Sequence, residues 1–464
     1  MSPRARLGEL GAMRNTLLVA TTVLGLLPGG VASAADAIAR REALVAVEPL
    51  EARARRAGLR VIEGRHLVLA TDRPVRSGDG VDELPRLFDQ ALREWCRFYG
   101  MNPDEHADWK CFGCLMVDRE KFRAAGLLPG TLPQFENGFC DRNQFWLVDQ
   151  SNPAYRRHLL LHEGVHAFTL TLRQLATPVW YNEGIAEFLA THRLEPGGRG
   201  EPHFVSTPIP ERPEDVEQLG RIEKIRELRA AGTMPSLADV LAAPVGNHKS
   251  VAEYASSWAA VAMLSFHPAY AKGFLELERG PLGPDFNQRL AAMPGWNAAR
   301  AARDFDAFTA DIDYGYDFSR MAIDWSPGKP CDGPRALAVD AARGWQNSGM
   351  ALVAGKRYAF EAAGRVGLGV VDDTVNKKFI TLEGEPEGIT FEWYRGRPTG
   401  KLLLGQWIEK PTDDGRPRFE VLAEGARGEF VAIADGLLFM RLNGPPTRLK
   451  QRDGTISATV RPVP

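Results

Sequence analysis

Residues 158–188 read HLLLHEGVHAFTLTLRQLATPVWYNEGIAEF, and this stretch decides how the chain is read. Within it, His162-Glu163-Gly164-Val165-His166 is an H-E-x-x-H motif. Gly164 apart, the segment 154–175 carries apolar residues on most turns and predicts a helix. At a spacing of four, His162 and His166 lie on one helical face, so both imidazoles can reach one metal ion. Glu163 sits one residue round from the first histidine, where it can act on a water at the metal without itself being a ligand.

Catalytic zinc sites usually take three protein ligands. The sequence offers Glu183 as the third. It falls on a second predicted helix, 178–192, after a break at Ala176-Thr177, with Pro178 in the first turn where its missing N–H is no loss. Glu187 lies one turn beyond on the same face. The spacing assigns His162, His166 and Glu183 to the metal. Glu187 then accepts a hydrogen bond from the far nitrogen of a histidine ligand, fixing its tautomer and orientation. Asn182 is placed with Glu187 behind the ligands.

The pattern resembles the gluzincin metallopeptidases, the thermolysin-like and aminopeptidase-like clan also called peptidase MA. Their third zinc ligand is a Glu on the helix after H-E-x-x-H. The aminopeptidase branch carries W-L-N-E-G-F-A there, and Trp180-Tyr181-Asn182-Glu183-Gly184-Ile185-Ala186 is similar to it. The thermolysin branch has an acid four residues after the third ligand, which Glu187 matches. The interval from His166 to Glu183, 183 − 166 = 17 positions, is slightly shorter than the usual aminopeptidase one. The resemblance is specific over about 35 residues and loose over 60–310. It implies zinc-dependent peptide-bond hydrolysis with Glu163 as general base. It also implies a Tyr or His opposite the zinc to hold the oxyanion, for which Tyr254 and His267 are the candidates. Phe135-Glu136-Asn137-Gly138 invites comparison with the G-x-M-E-N substrate anchor of aminopeptidases, although only Glu-Asn is shared; the plainer reading of Glu136 is a turn residue. In gluzincins an edge strand beside the site pairs with the substrate backbone. Residues 143–148 are in the right place for it, and are equally well read as core strand.

Upstream, residues 1–34 read as a targeting segment. Arg4, Arg6 and Arg14 precede an apolar-to-neutral run, Leu17 to Leu27, and Ala32-Ser33-Ala34 supplies a small-residue cleavage site. The expectation is export to the periplasm or beyond, with an uncleaved anchor as the alternative. No later stretch is apolar and long enough to span a bilayer. With 57 basic and 59 acidic side chains, net −2, nothing points to nucleic acid or an anionic membrane as partner.

The expected class is α+β. A mainly helical zincin-type domain with a small amino-terminal sheet occupies 61–312, after a helical segment at 35–60. A linker at 313–335 leads to an all-β sandwich at 336–464. Strands are expected at 65–71, 111–117 and 143–148. Helices are expected at 84–99, 215–231, 236–243 and 250–267, and a surface loop at 194–213. Export permits disulfides. Among Cys96, Cys111, Cys114 and Cys140 the crossed pairings are preferred over a tight Cys111–Cys114 bridge, with a four-cysteine zinc site as the alternative.

From 336 onward, turn signals such as Pro398-Thr399-Gly400 and Asp435-Gly436 punctuate short strands. Residues 344–349 (GWQNSG), 385–390 (EPEGIT) and 436–443 (GLLFMRLN) resemble the galactose-binding-like jelly rolls, in particular the calcium-dependent galactose-specific bacterial lectins. That resemblance implies carbohydrate as a second partner. Where those lectins place calcium ligands, however, this chain reads Asn443-Gly444-Pro445-Pro446 and then Arg452-Asp453-Gly454, with several oxygen ligands missing. Two readings stand beside the peptidase: a non-catalytic, zinc-stabilised binding protein, and a zinc amidase or transferase acting on a wall or glycan substrate.

Overall fold

The computed structural model describes residues 49–75, 78–198, 201–216, 220–244, 250–373, 378–411 and 415–464. The targeting segment and most of the following helical segment lie outside the described residues. Residues 50–464 form one compact body.

It opens with α1 (Leu50–Arg56), β1 (Arg60–Glu63), β2 (Leu67–Thr71), α2 (Leu84–Phe98), β3 (Cys111–Met116), α3 (Arg119–Ala124), β4 (Gly138–Asp141) and β5 (Gln144–Val148). The strands form one sheet in the order β1-β2-β3-β5-β4. The inner pairs β2–β3 and β3–β5 are parallel; the outer pairs are antiparallel. Alternate side chains point to opposite faces. Leu69 and Phe145 go to the large helical core, while Ala70 and Trp146 meet Ala54 of α1 and Phe122 of α3 on the other face. α2 matches the helix expected at 84–99, and Leu87, Phe88, Ala91, Leu92 and Trp95 are all buried.

Next come α4 (Pro153–Leu172), α5 (Val179–Ala190), β6 (His192–Pro196), β7 (Pro202–Ser206), α6 (Arg221–Ala230), α7 (Leu237–Leu241), α8 (Val251–Phe266), α9 (Ala271–Arg279), α10 (Phe286–Ala291), α11 (Ala298–Asp311) and α12 (Phe318–Met321). The surface loop expected at 194–213 is instead largely an antiparallel hairpin, β6–β7. Phe204 is buried beneath His192, ring centroids 5.1 Å apart, and its backbone N–H donates to Gln90 of α2 at 2.8 Å. Residues 207–212, with Pro208 and Pro210, are irregular as the composition suggested. The expected linker at 313–335 is also packed. Tyr314, Tyr316, Phe318 and Met321 are buried in the helical core. Their apolar surface outweighs the intervening acids and glycines.

The remainder is strand-rich: β8 (Lys329–Pro330), β9 (Arg335–Asp340), β10 (Gln346–Leu352), β11 (Arg357–Ala363), β12 (Val366–Asp373), β13 (Lys378–Gly384), β14 (Ile389–Tyr394), β15 (Arg397–Thr399), β16 (Leu402–Ile408), β17 (Arg418–Glu424), β18 (Arg427–Val431), β19 (Gly436–Leu442) and β20 (Thr455–Pro462). A five-stranded sheet, β17-β16-β19-β10-β8, and a four-stranded one, β18-β11-β20-β9, share a core of Met350, Leu404, Met440, Phe360, Ile456 and Val460. β20 shows why: its exposed and buried residues alternate along the strand. β12–β13 and β14–β15 are separate hairpins. The far face of the five-stranded sheet carries Trp345, Leu403 and Phe439. These pack on Ala307 of α11 and on Ile323, so the sheets are seated on the helical part.

All five cysteines are free, which corrects the expected staple. Cys111 and Cys114 are three apart on β3, so they face opposite sides of the sheet and join different cores. Cys96 lies in the helical core. Among the described residues no cysteine belongs to a metal-capable group.

Candidate metal centre

α4 starts where Asn152 accepts from the backbone N–H groups of Ala154 and Tyr155, at 2.8 and 3.2 Å, with Pro153 in the first turn. Such a cap stabilises a helix by about 1 kcal/mol. α4 then runs buried from His158 to Thr169. Gly164, mid-helix, is needed for packing, because a Cβ there would overlap the Phe88 ring. Pro178 caps α5 from an extended backbone, ψ 149°, just outside the helix where the sequence placed it inside. α5 ends at Ala190 as the chain enters β6. Gly184 lets α5 lie against α8; a Cβ would stand 2.5 Å from the Ser257 carbonyl oxygen. That close approach brings Tyr254, one turn before Ser257, to the site.

Three ligand-capable atoms converge. His162 Nε2 and His166 Nε2 are 3.1 Å apart, and Glu183 Oε2 lies 3.4 and 3.3 Å from them. A tetrahedral site with bonds of about 2.0–2.1 Å has ligand atoms about 3.3 Å apart. Glu183 Oε2 is buried and has no hydrogen-bond partner, so the site contains an unmet acceptor facing two nitrogens. The buried group His162, His166 and Glu183 could therefore hold a metal ion.

The far sides of the imidazoles are also engaged. His166 Nδ1 donates to Asn182 Oδ1 at 3.2 Å. His162 Nδ1 lies 3.1 Å from Glu187 Oε1. These contacts leave both Nε2 atoms turned inward. Glu187 also meets His158 Nε2 at 3.3 Å and Arg221. His158, His162 and Glu187 form a second metal-capable group, but Arg221 already grips both oxygens of Glu187, at 2.7 and 2.8 Å. A second metal ion there would face that guanidinium.

Burial would raise the Glu187 carboxyl, but Arg221 and the two histidines overcome it and hold the group well below the usual range. Burial likewise opposes a proton on His162; the neighbouring carboxylates of Glu183 and Glu187 outweigh it and lift the imidazole to about 10. His166 and His162 hold the buried Glu183 carboxyl low. Glu163 goes the other way: burial raises it, against the charges of His162 and His166.

Glu163 points to the sheet edge. A Cβ on Gly138 of β4 would overlap Glu163 Oε1, and its carboxyl carbon would be 3.0 Å away. The edge strand beside the site is thus β4; residues 144–148, expected in that place, form the interior strand β5. The Tyr254 ring lies 5.8 Å from that of His162. Burial, followed by the carboxylates of Glu183, Glu163 and Glu187, raises its hydroxyl, which stays protonated. His267 does not approach. It caps the opposite end of α8, about 20 Å along the helix axis, stacks on Tyr270 at 5.0 Å and faces Asp304 at 3.8 Å. Glu136 is exposed, its backbone carbonyl accepting from Arg119 at 3.0 Å.

His158, Arg221 and Gly138 were missed in the sequence. His158 carried a signal, the same four-residue register as His162 and His166. Arg221 is 34 positions from Glu187, and no local pattern links them.

In the carboxyl-terminal sheets, the backbone carbonyls after β19 are taken up by side chains of the protein. Arg452 donates to the carbonyls of Leu442 and Asn443 at 3.3 and 3.0 Å. Asn443 Nδ2 donates to three backbone carbonyls at 2.9–3.1 Å.

No family model matches the chain, and no curated protein matches it. Among solved structures, the EclA N-terminal domain, described as a PllA-like lectin, is similar to 28% of this chain and 95% of its own, at 19% identity and a TM-score of 0.20.

Proposed function

We propose that the protein is a zinc-dependent metallopeptidase. The observation that supports this most is the triangle of His162 Nε2, His166 Nε2 and Glu183 Oε2, with edges of 3.1–3.4 Å, beside the buried carboxylate of Glu163. Two imidazoles and a carboxylate suit zinc over harder cations. Zinc bound there supplies a Lewis acid that polarises a substrate carbonyl and acidifies a water.

The chain's own groups do the rest. Glu163 takes the proton from the attacking water and passes it to the leaving amine. The protonated Tyr254 hydroxyl donates to the oxygen on which charge develops. Asn182 and Glu187 hold the two imidazoles in one orientation. The free edge of β4 offers backbone groups to an extended peptide, in the manner of strand addition. The substrate is a peptide or protein.

The reading includes export, which rests on the sequence of residues 1–34. No helix among the described residues is long and apolar enough to cross a membrane. Calcium-dependent sugar binding is not part of it, because the Arg452 guanidinium already occupies the carbonyls of the relevant loop.

The test is digestion of a mixed peptide library, read by mass spectrometry, with zinc content measured on the same samples. The parent should cleave, and Glu163→Gln should lose about 10²–10⁴-fold in rate while keeping its zinc. Cut positions separate removal of terminal residues from internal cleavage. A zinc-loaded parent that cleaves no peptide would overturn the peptidase reading and favour a wall or glycan amide, or a binding role.

A further inference from the structure

A second site candidate lies where the five-stranded sheet meets the helical part. A cavity of about 350 Å³ opens there. Its wall carries six arginines: Arg229, Arg395, Arg397, Arg416, Arg418 and Arg441. The only acid in that wall, among the described residues, is Asp311. Behind it the carboxylates are shared. Asp311 takes Arg395 at 2.9 Å and Arg441 at 2.7 Å. Asp306 takes Arg229 at 3.0 Å and Arg416 at 2.8 Å. Glu424 and Glu420 take Arg397 and Arg418, at 2.6 and 2.7 Å. Among the described residues the six guanidinium groups share these four carboxylates, Asp313 also acts on Arg395, and Lys401 shares Glu424 as well, at 3.0 Å. Asp413 and Asp414 lie outside the described residues.

A second observation points the same way. Arg441 has only 6% of its side chain exposed, yet its buried Nε has no hydrogen-bond partner. A buried charged donor left unmet is unfavourable, and an acceptor in the cavity would satisfy it. Arg229 adds support: burial, together with the charges of Arg416 and Arg418, holds its guanidinium below the usual range despite Asp306. Besides Asp311, Tyr394 and Asn443, the rest of the wall is apolar. Trp345 and Phe419 stack with centroids 4.5 Å apart, and the Arg441 guanidinium lies 5.5 Å from the Trp345 ring centre.

We propose that this cavity binds the oxyanion group of a small ligand, a carboxylate or a sulfate, through Arg441 and Arg416, with the ligand's apolar part against Trp345 and Phe419. Guanidinium groups present paired donors to such oxygens and are weakly hydrated, which suits a half-buried anion site. The donors are arginines and not the Asn443 amide, which is spent on backbone carbonyls. The site is independent of the metal centre.

The experiment is calorimetric titration of the full chain with sodium sulfate and with sodium D-glucuronate, each against sodium chloride at equal ionic strength. Saturable binding of at least one is expected. Arg416→Gln, at the more exposed part of the wall, and Arg441→Gln should each weaken it about tenfold or more. Circular dichroism and ligand-free melting show whether each variant is folded; if Arg441→Gln is not, Arg416→Gln decides. Tighter glucuronate would mark a carbon-borne carboxylate as the ligand class, and tighter sulfate a free oxyanion; either supports the proposal. It is overturned if neither anion binds beyond chloride, or if the folded variants bind as the parent does.

Discussion

Arg221 grips Glu187 through both carboxylate oxygens, Nε to Oε2 at 2.7 Å and Nη2 to Oε1 at 2.8 Å, and Glu187 in turn meets His162 Nδ1 at 3.1 Å. One guanidinium at the start of α6 thereby fixes the carboxylate that orients an imidazole on α4. The same guanidinium lies 5.8 Å from the Tyr254 ring centre. Arg221→Met should leave Glu187 buried without its cation and weaken zinc binding about 10–100-fold, measured by competition with a chelator of known affinity. Arg221→Lys cannot form the paired contact and should fall between parent and Met variant. Unchanged affinity in a folded Met variant would show that the pair is structural only.

The three atoms nearest a Cβ on Gly138 all belong to Glu163. Gly138→Ala places a methyl group where the Glu163 carboxylate sits, and the carboxylate must move. Turnover of a peptide substrate should fall by about 10-fold or more, since displacing a general base removes much of its contribution. Zinc content should stay at the parent level. Loss of metal together with activity would mean that β4 supports the whole site.

Tyr254→Phe removes the one hydroxyl assigned to the developing oxyanion. The expected loss is about 10²-fold in kcat with little change in KM, as when an oxyanion donor is deleted. His267→Gln, at the far end of α8, should leave both constants near parent values. A Tyr254→Phe variant with full kcat would remove Tyr254 from the chemistry.

Glu278 provides a stability test away from the site. Burial raises its carboxyl well above the usual value, against the hydrogen bond from the Tyr181 hydroxyl at 3.2 Å and the charge of Arg279. The folded protein therefore holds this proton more tightly than the unfolded chain, whose Glu titrates near about 4.3. The stability this contributes is present in full below that value and is lost as pH rises toward the folded pKa. Glu278→Gln keeps an acceptor for Tyr181 and carries no charge. Its melting temperature should match the parent near pH 4 and exceed it at pH 8. An equal offset at both pH values would show that the carboxyl does not titrate in this window.

How much was legible in the chain varies with the range of the interaction. α2 and α8 were readable because their apolar periodicity and start signals are local: Pro85 in the first turn of one, the Ser250–Glu253 capping box of the other. The hairpin β6–β7 was not readable, because Phe204 and His192 gain their stacking partners only after the chain folds back, and the intervening glycines and proline dominate the composition. The segment 313–335 misled for a similar reason. Its aromatic residues Tyr314, Tyr316 and Phe318 alternate with acids and a glycine, and only the neighbouring helices bury them.

The sequence by itself determined the pair of helices that carry the metal-capable residues. A four-residue interval puts His162 and His166 on one face whatever surrounds them, and Asn182, Glu183 and Glu187 follow on the next helix in a register that local geometry sets. Tertiary structure decided everything that acts on those side chains from a distance. It made β4 the strand that meets Glu163, brought the Tyr254 ring beside His162 while leaving His267 at the far end of α8, and brought Arg221 to Glu187. It also kept the cysteines apart on opposite faces of β3 and gathered six arginines around one cavity. The physical reason is common to all of these. Helical periodicity is encoded within a few residues, whereas burial, charge pairing and close backbone approach depend on segments far apart in the chain and exist only once the core has formed.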